Sequence, residues 1–194
     1  MNLLDGIRAG AKKNTPYHEI ARKIFFTYPT FAFVEDEERQ YSIFNEISEH
    51  FKIPILAIHV AGSAKTGHSF HKGTPFIPGV SDLDIAIIDA GLFQRYMELV
   101  CSLTRNYSDL TAFRKVKGVS QHVNYVSYLS KGIFRPDLMP YGPDRADIND
   151  FFGRLSSRHG DLFRSINAAL YMSQSLFETK QRSAVSNFLE KDIY

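Results

Sequence analysis

The sequence predicts one soluble, cytosolic α/β domain spanning residues 1–194. Two short apolar runs, Ile55 to Val60 and Leu83 to Ile88, have the length and β-branched content of buried strands. Segments with apolar residues at helical spacing lie between and after them. No internal repeat, low-complexity tract or linker divides the chain.

Taken in order, residues Ile20 to Phe33 are crowded with aromatics and are expected to pack on the core. The charged cluster Glu35-Asp36-Glu37-Glu38-Arg39 opens a helix whose apolar positions are Tyr41, Phe44, Ile47 and Phe51. After Pro54 the first strand runs directly into Gly62-Ser63. Leu92 to Leu103 reads as a helix, and Val119 to Leu129 as a third strand region with irregular alternation. Pro136, Pro140 and Pro143 punctuate a loop. From Asp147 to about residue 190 the pattern is helical, with Leu162, Ile166, Ala169, Ser173 and Leu176 on one face. Asn187 to Tyr194 carries too little periodicity to place and reads as a tail.

Composition excludes several classes of function. The single Cys101 rules out a disulfide framework, and no Cys/His cluster has zinc-finger spacing. With 23 basic residues against 21 acidic, the net charge of +2 argues against a broad surface for duplex DNA. No apolar run is long enough to span a bilayer, so no direct membrane insertion is expected.

The chemistry-bearing signal is Ser81-Asp82-Leu83-Asp84-Ile85. On a strand, Asp82 and Asp84 project together while Leu83, Ile85 and Ile87 face the other way. Two carboxylates on one face repel each other, and a divalent cation relieves that repulsion most simply. Upstream, Ala61-Gly62-Ser63-Ala64-Lys65-Thr66-Gly67 forms a turn where glycine lets backbone amides approach a phosphate. Gly62, Gly67 and Ser69 imitate P-loop spacing, but His68 stands where that motif needs its lysine. A P-loop is therefore rejected.

A glycine-serine turn followed by an Asp-x-Asp strand resembles the nucleotidyltransferase superfamily of DNA polymerase beta and the cyclic-oligonucleotide synthases. Residues 55 to 140 carry the likeness: Gly62, Ser63 and Gly67 in the turn, then Asp82 and Asp84. The resemblance implies a minimal polymerase-beta-like core, a mixed sheet flanked by helices, with a C-terminal helical segment and tail. It implies a third carboxylate, for which Asp137 in Arg135-Pro136-Asp137-Leu138-Met139-Pro140 is the choice, with Asp144 and Asp147 in reserve. Asp82, Asp84 and Asp137 would hold two Mg²⁺, for which Mn²⁺ could substitute. Gly62, Ser63, Lys65 and Gly67 would contact the nucleotide, with Lys72, Lys131 and Arg135 as further phosphate partners. Phe70, Phe76, Phe134 and Tyr141 are candidates for stacking a base. Two departures are the residue after Gly67, which is His68 instead of a hydroxyl, and a longer segment from His68 to Val80, expected to form a loop over the nucleotide.

The small nucleotidyltransferase of the Hailong antiphage systems is similar in compactness, acidic core and a C-terminal tyrosine. That likeness implies use of NTP or dNTP, with dATP preferred. It further implies single-stranded DNA built on the hydroxyl of Tyr194, and regulation of a membrane-channel effector. The alternatives are a toxin–antitoxin-type enzyme modifying a protein or tRNA, and a cyclic or linear oligonucleotide synthase with free product.

Overall fold

The computed structural model describes residues 3–192 of the chain, with side chains to Glu190. Helix α1 (Leu3–Lys12) and helix α2 (Tyr17–Arg22) come first, and α2 continues into a wider π-helical turn, Lys23–Thr27. The aromatic stretch thus divides: Ile20, Ile24 and Phe25 are buried from a helical surface, while Phe31–Phe33 forms a 3₁₀ turn. Helix α3 (Glu37–Phe51) begins where expected, with Glu37 and Glu38 favourably placed in its first turn. It buries Ile43, Ile47 and Phe51 at intervals of four and stops at Lys52, whose φ of 56° is left-handed.

The first apolar run splits. Ile55–Ala57 is a 3₁₀ turn, and strand β1 occupies only Ile58–Ala61. The short helix α4 (Gly62–Thr66) follows, then a small hairpin of β2 (His68–Ser69) and β3 (Thr74–Pro75). Strand β4 (Leu83–Ile88) agrees with the sequence reading, as does helix α5 (Ala90–Leu103). Asp89 caps α5 by accepting from the Leu92 amide at 2.7 Å.

The region 119–129 corrects the sequence reading. Strands β5 (Lys115–Val116) and β6 (Val119–Ser120) make a two-stranded ribbon, and His122–Leu129 is helix α6. Strand β7 is only Ile133–Phe134, and helix α7 (Pro143–Arg158) starts on Pro143, whose fixed φ suits a first helical position. Ile166–Tyr171 is strand β8, not helix, and helix α8 (Gln174–Asp192) absorbs most of the supposed tail.

The resulting mixed four-stranded sheet has the order β1-β4-β8-β7. Strand β4 runs antiparallel to β1 and parallel to β8, and β7 is antiparallel to β8. One face carries Ile58, Val60, Leu83, Ile85 and Ile87 into a core shared with α3, α5 and α7. The other face carries Ala86, Ala169 and Tyr171 beneath α1, α2 and α8. That second helical layer covers only one end of its face. Asp84 lies on the same face, two residues before Ala86, beyond the cover. None of the helices in the described residues is long and apolar enough to cross a membrane.

Candidate functional site

A cleft of about 1120 Å³ opens over the uncovered end of the sheet, with Asp82 and Asp84 in its lining. Asp84 pairs with Ala61 on β1 and with Asn167 on β8, so the residue just before the glycine-serine turn sits beside it. Gly62 has φ of +65°, and a Cβ there would collide with Asp84 Oδ2. Glycine is required on both counts. Ser63 lines the same cleft.

The two carboxylates live in opposite electrostatic conditions. Burial would raise the Asp82 carboxyl, but hydrogen bonds from Arg164 and Ser165 prevail and hold it below the ordinary carboxylate range. Arg164 grips it with both ends of its fork, Nε to Oδ1 at 3.0 Å and Nη2 to Oδ2 at 2.6 Å. The Ser165 hydroxyl donates to Oδ1 at 2.7 Å. The Asp84 carboxylate makes no hydrogen bond or ion pair among the described residues. Its carboxyl is raised by its burial in the cleft wall and by the charge of Asp82, against the partial relief of Arg135 and Lys72. Its surface nonetheless stays open to solvent at the cleft floor. An accessible, unneutralised carboxylate beside a neutralised one is the site's central feature.

Asp137 does not join them. It lies in the 3₁₀ turn Pro136–Leu138 beyond β7, two strands from β4, and lines the cleft with its carboxylate held in a bidentate pair by Arg135 at 2.7 and 2.8 Å. The residue on the strand beside Asp84 is Asn167, whose amide nitrogen donates to Ser165 Oγ at 2.9 Å. Asp144 lies in the first turn of α7, and Asp147 pairs with His50 at 3.3 Å; neither lines the cleft. Among the described residues no three His, Cys, Asp or Glu side chains gather around one ion position. The donor set Asp82, Asp84 and the Asn167 amide oxygen suits one hard cation whose shell is completed by water and phosphate oxygens.

Other expected contacts are redistributed. Lys65 is buried, its Nζ donating to the Tyr28 carbonyl at 2.7 Å, and burial lowers it to about 8. Gly67, at φ +78°, ends α4 by bonding back to the Ser63 carbonyl at 2.8 Å. Neither lines the cleft, so both shape the turn from behind. Lys131 lies over Tyr128, and Tyr141 lies under Arg145. Phe76 and Phe134 belong to the core on the other face. Phe70 does line the cleft, stacked on Phe188 of α8 at 4.7 Å between centroids. The long segment from His68 forms the hairpin at the cleft rim and contributes Lys72 there. Tyr194 lies outside the described residues.

Sequence reasoning missed Arg164, Ser165 and Asn167, which reach Asp82 and Asp84 only because β8 pairs in parallel with β4 from some 80 positions away. It also missed Tyr128, Tyr171 and Gln181, which line the inner end of the cleft. No family model matches this chain, and neither the curated proteins nor the solved structures include a match to it.

Proposed function

We propose that this chain is a metal-dependent nucleotidyltransferase that transfers a nucleoside monophosphate to a hydroxyl group. What carries the reading is the unpartnered Asp84 carboxylate set against the Gly62-Ser63 turn, with Asp82 beside it. A divalent cation bound at Asp82 and Asp84 would supply charge neutralisation for a triphosphate. The Ser63 hydroxyl and the exposed Gly62 backbone, both lining the cleft, would orient phosphate oxygens. Lys72, Arg135 and Arg164 line the same cleft and provide positive charge for the remaining phosphates. In the transfer, the acceptor hydroxyl would lose its proton to solvent as its oxygen bonds to the α-phosphorus, the bond from that phosphorus to the α,β-bridging oxygen breaks, and pyrophosphate leaves.

The acceptor proposed is the hydroxyl of Tyr194, giving a DNA oligomer grown from the protein itself. In support, α8 brings Phe188 against Phe70 at the cleft rim, six residues before that tyrosine. The neutral Asn167 beside Asp84 favours a second reading, a nucleotide-binding module without transfer. One experiment separates them: incubation with each of the eight nucleoside triphosphates and Mg²⁺ or Mn²⁺, following both nucleotide binding and pyrophosphate release. Release with any of them supports the enzyme. Tight binding without release supports the module, and absence of both removes the nucleotide reading.

A further inference from the structure

The β5–β6 hairpin stands off the body of the protein. Residues Arg114 to Val119 are all exposed, and a Cβ on Gly118 at the turn would meet nothing within 4 Å. Lys117 and Gly118, at φ of 50° and 80°, make the two-residue turn, a left-handed pair whose twist suits a hairpin. The register sets Val116 opposite Val119, so both project from one face beside the turn, and Lys115 with Ser120 from the other. The two valines are 41% and 60% exposed. On α6, which follows, Val123 and Val126 are exposed one turn apart, while Tyr125 between them turns into the core.

Charge is one-sided in the same region. Residues 110 to 136 hold five Lys and Arg and no Asp or Glu, in a chain whose net charge is only +2. The side chains of Arg114, Lys115 and Lys117 make no hydrogen bond or ion pair among the described residues, so their charge faces solvent. Exposed aliphatic side chains set among cations mark a surface that meets something else. A nucleic-acid backbone would use the cations but leave the valines idle, and residues 114–119 offer no aromatic ring to stack a base. A second copy of the hairpin would bring like charge against like. A bilayer with anionic headgroups uses both features, and a projecting tip needs no matching groove to enter it.

We propose that the β5–β6 hairpin docks the protein on the surface of an anionic lipid bilayer. Val116 and Val119 enter the boundary between headgroups and acyl chains, and Arg114, Lys115 and Lys117 meet the headgroup phosphates. The chain binds from one side without crossing, and the docking is independent of what the cleft binds.

The test is co-sedimentation with vesicles of phosphatidylcholine and phosphatidylglycerol in equal parts, against vesicles of phosphatidylcholine alone. Wild type should partition onto the anionic vesicles only, and less so as salt is raised. Val116→Thr combined with Val119→Thr keeps the branched shape and every charge, and should lower partition about tenfold. Arg114→Gln, Lys115→Gln and Lys117→Asn together, the last keeping a residue that tolerates the left-handed turn, should lower it about a hundredfold. The chain has no tryptophan, so Val119→Trp places a single fluorophore at the tip, whose emission should shift to the blue on anionic vesicles. Emission that stays unchanged while the protein sediments overturns the docking face, as does equal partition of wild type and either combined variant. Wild type that ignores anionic vesicles overturns the proposal outright. If it instead binds a DNA or RNA oligonucleotide through the cations alone, the hairpin is a nucleic-acid contact.

Discussion

Gly62 and Asp84 face each other across the β1–β4 ladder so closely that a Cβ on Gly62 would occupy the place of Asp84 Oδ2. The turn and the carboxylate are therefore one structural unit. Gly62→Ala combines that collision with a left-handed backbone, and a strain of about 1–3 kcal/mol is expected. Thermal unfolding should show the loss, and transfer activity should fall further than stability does, because Asp84 must move. Unchanged activity in a folded Gly62→Ala protein would contradict the placement of the site.

The two carboxylates should respond to neutralisation with opposite signs. Asp82 has a lowered pKa, so it contributes stability above its unfolded value that is lost as pH falls through the folded one. Asp84 has a raised pKa, so its charged form disfavours the native state above the unfolded value. In metal-free buffer at pH 7, Asp84→Asn should raise Tm and Asp82→Asn should lower it, with Arg164 left unpaired. The Asp84→Asn gain should shrink as pH falls through the raised native value. Both variants should lose nucleotidyl transfer. Equal shifts of the same sign would show that Arg164 is not the group that separates them.

The contrast between β4 and β8 explains how far the sequence could be read. Strand β4 alternates Leu83, Asp84 and Ile85, with only one polar residue amid buried ones, and it is legible from its own pattern. Strand β8 reads Ile-Asn-Ala-Ala-Leu-Tyr, and Leu162, Ile166 and Ala169 also satisfy a helical period. Only its pairing with β4 decides, and pairing over such a separation leaves no local trace. Region 119–129 failed for the converse reason: its β-branched residues suit a strand, yet Tyr125 packs into the core from a helix. The glycine-serine turn and Asp-x-Asp were legible because they are local. Asp137 was chosen from its local setting alone, and in the structure its carboxylate is held by an arginine two residues away.

Lys65 tests whether the turn contacts phosphate through its lysine. It is lowered to about 8 by burial, so its charged form is disfavoured in the native protein. That penalty is full below pH 8 and fades toward the unfolded value of 10.5. It amounts to about 3 kcal/mol at most, offset by about 1 kcal/mol for the bond to the Tyr28 carbonyl. Lys65→Met should therefore unfold at a higher temperature at pH 7, with a smaller advantage at pH 10. ATP affinity should be unchanged. A large loss of affinity would place the ammonium group in the site after all.

His59 predicts the acid limb of stability. It lies between Phe26 and Phe177, and burial, reinforced by the charge of Lys65, lowers it to about 4. Between the unfolded value of 6.5 and 4, the unfolded chain binds a proton that the native state refuses. Stability should fall by up to about 3 kcal/mol across that window. His50 and His159 are lowered in the same direction, so the slope will not vanish when His59 is replaced. Urea midpoints for wild type and His59→Leu at pH 7 and pH 5 measure the difference, and the variant should lose less on acidification. Parallel losses would assign the acid limb to the other groups.

Tyr194 is the acceptor proposed for transfer, and α8 decides what that requires. The helix runs to Asp192, and its residue Phe188 stacks on Phe70, in the hairpin that forms the cleft rim. Four of the six residues after Phe188 continue the helix at about 1.5 Å each, so even with the last two positions counted at full extension the reach is no more than about 13 Å. With so short a reach, the Phe70–Phe188 contact that ties α8 to the hairpin is what the acceptor reading depends on. Two substitutions therefore make different predictions. Tyr194→Phe removes the acceptor oxygen and should abolish the ladder of added nucleotides in intact-mass spectra, while ATP or dATP binding stays as in wild type. Phe188→Ala keeps the hydroxyl but loosens its anchor, and should slow the first addition more than later ones, because a grown oligomer supplies its own reach. A ladder that persists in Tyr194→Phe, or product found only free in solution, would move the acceptor off this residue. Loss of nucleotide binding in Phe188→Ala would instead show that the stack holds the cleft itself.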